Sequence, residues 1–132
     1  MTTDLAFLCD SALEDRGKLH ALGVGIDSVS GGSLPMTHPR FVVVCVMRYS
    51  VVEAGDKRMA IRLLTPDARD AVPPIERNIT LPVRDGVVDA TARIIAEVNG
   101  VTFNQGGPHA FHVAIDGAEV ARLPINVSVR RS

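Results

Sequence analysis

The chain has 132 residues, 46% of them hydrophobic, 22% charged and 4% aromatic, with a formal net charge of -1. That length suits a single domain with its own core, and that composition excludes a disordered, highly charged chain. It also excludes nucleic acid as the default partner: there is no Trp, and the only local basic excess is Arg130-Arg131, read as a solubilising tail.

The first residues, through Cys9, lack a basic leader and carry Asp4, so they do not read as an export signal. No run approaches the roughly 18 apolar residues of a membrane helix. The expectation is a cytoplasmic, soluble protein without a membrane partner. Leu5 to Asp10 reads as a strand with Leu5, Phe7 and Cys9 in one phase, followed by a polar turn at Glu14-Asp15-Arg16-Gly17.

Lys18 to Ser28 reads as one strand with unequal faces. Leu22, Val24 and Ile26 form its apolar side, with His20 in phase and expected to cap one end of the core. Ala21, Gly23 and Gly25 leave the other side bare, ending at Asp27. Such a stripe lets a neighbouring segment, a ligand or a second subunit approach closely, so these four residues are candidates for a binding groove or interface. A loop then runs from Ser30-Gly31-Gly32-Ser33 through Pro35 to His38-Pro39.

Phe41 to Val51 carries the strongest strand signal. Phe41, Val43, Cys45, Met47 and Tyr49 share one face. Val42, Val44 and Val46 share the other, which is either covered within the chain or an apolar interface patch. After a turn at Glu53-Ala54-Gly55-Asp56, Lys57 to Thr65 alternates, with Met59, Ile61 and Leu63 inward and Arg58 and Arg62 outward. Thr65 to Asp70 has room for one helical turn. Pro73-Pro74 blocks ladder pairing, so the next strand starts near Ile75, close to an edge, with Ile75, Ile79 and Leu81 in phase and Arg77 breaking it.

Val87 to Phe103 fits two periods. As a helix it would be capped by Asp89 and ended by Gly100. As a strand it would align Ala90, Ala92, Ile94, Ala96 and Val98, with a bulge at Gly100 moving Val101 and Phe103 to the buried side. Consistency with its neighbours favours the strand. Phe111, Val113 and Ile115, the Asp116-Gly117 turn, and then Leu123, Ile125, Val127 and Val129 make the clearest hairpin of the chain. Together these segments predict an all-β fold: an antiparallel β-sandwich, immunoglobulin-like or a related Greek key, of about eight strands.

The string from Cys9-Asp10 through Gly17-Lys18-Leu19 and Leu22-Gly23 to Asp27 resembles the opening of a family of small bacterial β-sandwich proteins with no assigned function. His38-Pro39, Val72-Pro73-Pro74, Phe103 before Gly106-Gly107, and Asp116-Gly117 with Leu123-Pro124 match its later landmarks in order. Ile26, where that family carries an aromatic, and His109-Ala110-Phe111, in place of an aromatic-rich strand, depart from it and weigh against a shared aromatic site. The resemblance implies a β-sandwich and supplies no catalytic residue.

The remaining chemistry is sparse. His109 and His112, three apart on a strand, project to opposite faces and cannot share a metal, and His20 and His38 have no partner at ligand spacing. Asp10, Glu14, Asp15 and Asp27 match no calcium loop and read as solvated turn charges. Gly23-Val24-Gly25 lacks the third glycine and the helix of a dinucleotide site, and no nucleophile elbow occurs. Cys9 and Cys45 read as reduced, packed thiols. No metal, cofactor or catalytic residue is assigned. The expected function is a non-enzymatic interaction or accessory module acting on an unidentified protein partner or as a homodimer; the alternative is a small-ligand or carbohydrate-binding sandwich using the groove beside Gly23 and Gly25.

Overall fold

The computed structural model of the chain describes residues 1–83 and 88–130; Val87 and Arg131, which entered the readings above, lie outside them. Ten strands are found among these residues: β1 (Thr2–Cys9), β2 (Ser11–Asp15), β3 (Lys18–Leu22), β4 (Ser28–Gly31), β5 (Met36–Ser50), β6 (Gly55–Leu64), β7 (Ile75–Leu81), β8 (Asp89–Phe103), β9 (Gly107–Ile115) and β10 (Ala118–Val129). A single 3₁₀ turn, Val51–Glu53, separates β5 from β6. None of the described residues forms a helix long and apolar enough to cross a membrane.

One sheet has the order β1-β5-β8 and the other β4-β10-β9-β6-β7, while β2 and β3 form a separate hairpin. All pairings are antiparallel except that of β4 with β10, which makes the larger sheet mixed. The count exceeds eight because one strand is added and one expected strand is divided. A second strand, β2, follows β1 directly, and Lys18 to Ser28 breaks between β3 and β4, which join different sheets.

The two sheets meet through the residues that alternation points inward. Leu8, Phe41, Val43, Cys45, Met47, Ile94, Ala96 and Val98 come from one sheet, and Met59, Ile61, Leu63, Phe111, Val113, Ile115, Ile125 and Val127 from the other. Such interdigitating aliphatic layers define a β-sandwich core. In β1 the inward phase is Ala6 and Leu8; Phe7 and Cys9 point to the opposite side, and Leu5 is exposed. A register shift between Thr3 and Leu5 accompanies that difference.

The segment 89–103 is a strand throughout. Its buried phase changes after Val98, so that Val101 and Phe103 join the core as expected, yet no residue is inserted. Phe41 pairs with Val98, Arg40 with Asn99 and His38 with Val101, so the register is continuous. Both strands change phase together, at Pro39 on β5 and Gly100 on β8. Gly100 has φ of +65°, a conformation side chains resist, and Pro39 has no N–H to leave unpaired. His38-Pro39 therefore belongs to β5 and not to the preceding loop.

At the hairpin turns Arg16-Gly17 and Asp116-Gly117 all four residues have positive φ, the geometry of two-residue turns that match strand twist. Thr65 to Asp70 contains no helix; Thr65 Oγ1 accepts the N–H groups of Asp67 and Arg69 at 3.3 Å each. As Pro73-Pro74 implied, β7 starts at Ile75 and forms a sheet edge.

Surface charges pair across strands. Arg48 grips Asp4, and Arg62 grips Asp70 and holds its carboxyl below the usual range. Glu53 accepts from the terminal ammonium of Met1 and, at 3.0 Å, from the Ser50 N–H, and these bonds lower its pKa from 4.5 to about 2. A carboxyl depressed on folding stabilises the native state above its unfolded pKa and loses that contribution as pH falls through the folded value. The urea midpoint is therefore expected to fall between pH 4.5 and about 2, and less steeply in Glu53→Gln. Identical pH profiles of the two proteins would refute the assignment.

Candidate functional site

The valine face of β5 is not an exposed patch. Val42 and Val44 are 1% and 0% exposed, and Val46 is half-buried. The β2–β3 hairpin lies over them, pressing Ala12, Leu19 and Ala21 against Val42, Val44, Cys9, Phe7 and Ile95. This small second core makes β5 a strand covered on both sides. The chain itself thus covers Val42 and Val44 and, in part, Val46, so this face is not the exposed apolar patch that an interface there would need.

The stripe Ala21-Gly23-Gly25-Asp27 is likewise dispersed. Ala21 belongs to β3 and is part of that second core. Gly23 has φ of +67°, and a Cβ there would lie 2.1 Å from Asp10 Oδ2, so the Asp10 carboxylate fills the space the glycine leaves. Gly25, with φ of +93°, donates its N–H to the Leu8 carbonyl at 2.9 Å, and Ile26 donates to the same oxygen at 3.2 Å. Two positive-φ glycines so close together end β3 and carry the chain across to β4. Gly25 and Asp27 do reach open surface, on a shallow depression of about 270 Å³ shared with Phe7 and Pro124. Leu22 and Val24, expected inward, are 73% and 57% exposed, and His20 is exposed opposite Leu13 on the hairpin's outer face.

What the fold does leave open is a strand edge. β8 bonds to β5 along its whole length, from Asp89 opposite Ser50 to Phe103 opposite Met36. No strand among the described residues bonds to its other side. The other edges are shorter or partly occupied: β4 has four residues, β7 has seven, and β1 carries Gly25 and Ile26 on Leu8 and Thr3 Oγ1 donating to the Val120 carbonyl at 2.7 Å. Over its 15 residues β8 has no proline and no lysine, the usual blockers of strand addition.

Its outward-facing row is Thr91, Arg93, Ile95, Glu97 and Asn99. Arg93 reaches Glu14 on the hairpin at 3.2 Å, and Glu97 meets Arg40 at 3.6 Å. Arg40 also donates to the Asp10 carbonyl from Nε and Nη2, at 3.0 and 2.6 Å, fastening the start of the hairpin to β5. In the sequence this segment fits both a helical and a strand period, and consistency with its neighbours favours the strand. The missing blockers were visible there too, but only topology shows that the strand lies at an edge.

The groups with chemical potential are held for structure. Cys9 faces the hairpin and Cys45 the main core, on opposite sides of one sheet, and both are free. Burial pushes the Cys45 thiol up to about 11 and raises that of Cys9, which leaves neither a ready nucleophile. His109 is buried, its Nδ1 bonded to the Gly107 carbonyl at 3.1 Å and its ring edge-on to Phe103 at 5.1 Å. His112 projects to the other face and pairs with Glu119. Among the described residues no group of three or more His, Cys, Asp or Glu side chains could hold a metal.

A family model described as a family of unknown function (DUF6941) matches residues 4–128. No match is found among curated proteins.

Proposed function

The chain belongs to the DUF6941 family of unknown function, and we propose that it is a non-enzymatic interaction or accessory module which binds another polypeptide by strand addition along the free edge of β8. The observation that supports this reading is a 15-residue strand without proline or lysine whose outer side pairs with no strand among the described residues. A row of free N–H and C=O groups is a template for a further strand, with main-chain bonds supplying affinity and alternate side chains specificity. A reducing, cytoplasmic setting goes with the reading, since Cys9 and Cys45 are free thiols on opposite sides of one sheet.

The test is amide hydrogen exchange in dilute protein. Alternate amides of β8, those not bonded to β5, are expected to exchange orders of magnitude faster than the amides of β9, which lies between β10 and β6. Uniform protection along β8 in a chain shown to be monomeric would mean that its edge is occupied internally, and would remove the proposal.

A further inference from the structure

We infer that the strand added to β8 is β8 of a second copy of this chain, joined antiparallel about a two-fold axis through Ile95. The inference rests on the strand-addition reading above and specifies its partner. In a two-fold antiparallel pair, residues equidistant from the axis stand opposite one another on the same face of the joined sheet. The outward row then pairs Arg93 with the second copy's Glu97, and Glu97 with the second copy's Arg93. Thr91 stands opposite Asn99, and Ile95 opposite itself.

The inward row is complementary in size. Ile94 faces Ala96 and Ala92 faces Val98, so each larger side chain meets a small one. Moving the axis by one residue destroys the match. An axis at Ala96 sets Arg93 against Asn99 and Ile95 against Glu97, and one at Ile94 sets Arg93 against Ile95. Of these three axes only that at Ile95 brings opposite charges together twice, and directly opposed charges of unlike sign favour a register as like charges oppose it. An axis at Thr91 also opposes Asp89 and Arg93, but it pairs only the first five residues of β8, whereas the axis at Ile95 pairs nine, from Thr91 to Asn99. The bend at Gly100 bounds the paired segment just beyond Asn99. Existing bonds of Arg93 to Glu14 and of Glu97 to Arg40 are at the surface, and a guanidinium has donors enough to serve two carboxylates.

The experiment is sedimentation equilibrium on four samples: the natural chain, Arg93→Glu, Glu97→Arg, and an equimolar mixture of the two variants. Each variant alone places like charges opposite each other twice. In the mixture the first variant is acidic at both positions and the second is basic at both, so unlike charges again stand opposite each other twice. The natural chain is expected to dimerise below about 100 µM, each variant to bind itself at least about tenfold more weakly, and the mixture to recover a 1:1 heterodimer. Circular dichroism checks that both variants fold, and Glu14→Gln, which removes only the contact within the chain, is expected to leave dimerisation unchanged.

A natural chain that stays monomeric at 100 µM overturns the self-pairing, as does a dimer indifferent to both reversals or a mixture that does not recover. None of those results touches the strand-addition reading, which falls only if β8 amides are protected in the monomer.

Discussion

Val44→Lys is expected to unfold the chain outright, with loss of the β-sheet circular dichroism signal and of any cooperative thermal transition at 25 °C. Val44 has no exposed surface and sits between Cys9, Val42 and the underside of the β2–β3 hairpin. An ammonium placed there has no carboxylate to meet without displacing the hairpin, and burying an unpaired charge costs several kcal/mol on top of the lost packing. Since a domain of this kind is stable by about 5–15 kcal/mol in total, that cost takes most or all of it. Val44→Ala should still fold, at a loss of about 2 kcal/mol for the removed methyl groups and the cavity. Leu13→Lys, on the exposed side of the hairpin, should change stability by less than about 0.5 kcal/mol. A folded Val44→Lys protein with a near-natural melting temperature would mean that the hairpin does not cover β5.

The contrast between Val44 and Leu13 also shows where sequence stops informing. Period-two alternation identifies β5, β6, β9 and β10 because each has at least one face in a single contiguous core, and burial there selects the register. β8 shares that core, but its pattern fits a helical period too and only its neighbours favour the strand. The two apolar faces of β5 imply that something covers the second, but alternation is blind to what. The cover comes from β2 and β3, five residues each, whose inward set of Ala12, Leu19 and Ala21 is too small and too mixed to stand out. The bare stripe at Ala21-Gly23-Gly25 was visible for a real reason. Its glycines, however, serve backbone reversal and the close approach of Asp10, and in a sequence a glycine needed for φ looks the same as one needed for space. The edge position of β8 depends on the order of strands in space, which no local pattern encodes. Once that order is known, Arg93 and Glu97 can be read as a self-complementary pair. Before it, they are two solvated charges on a strand.

Phe41→Ala is expected to cost about 3–5 kcal/mol, read as a lowered urea midpoint with an unchanged slope. Phe41 is fully buried where β5 and β8 change phase together. Its ring stacks on His38 at 4.1 Å and meets Phe111 edge-on at 5.5 Å and Phe103 at 6.2 Å, so it links both sheets at the bend. Removing it empties a space bordered by stiff strands on both sides, which limits how far the walls can relax. Phe41→Leu retains most of the volume and should cost well under half as much. A double-mutant cycle of Phe41→Leu with Phe111→Leu should return a coupling of about 0.5–1.5 kcal/mol, the worth of an edge-to-face pair beyond its burial. Zero coupling would reduce the aromatic cluster to so much apolar volume, and a cost for Phe41→Ala below about 1 kcal/mol would show that the bend at Pro39 and Gly100 holds without it.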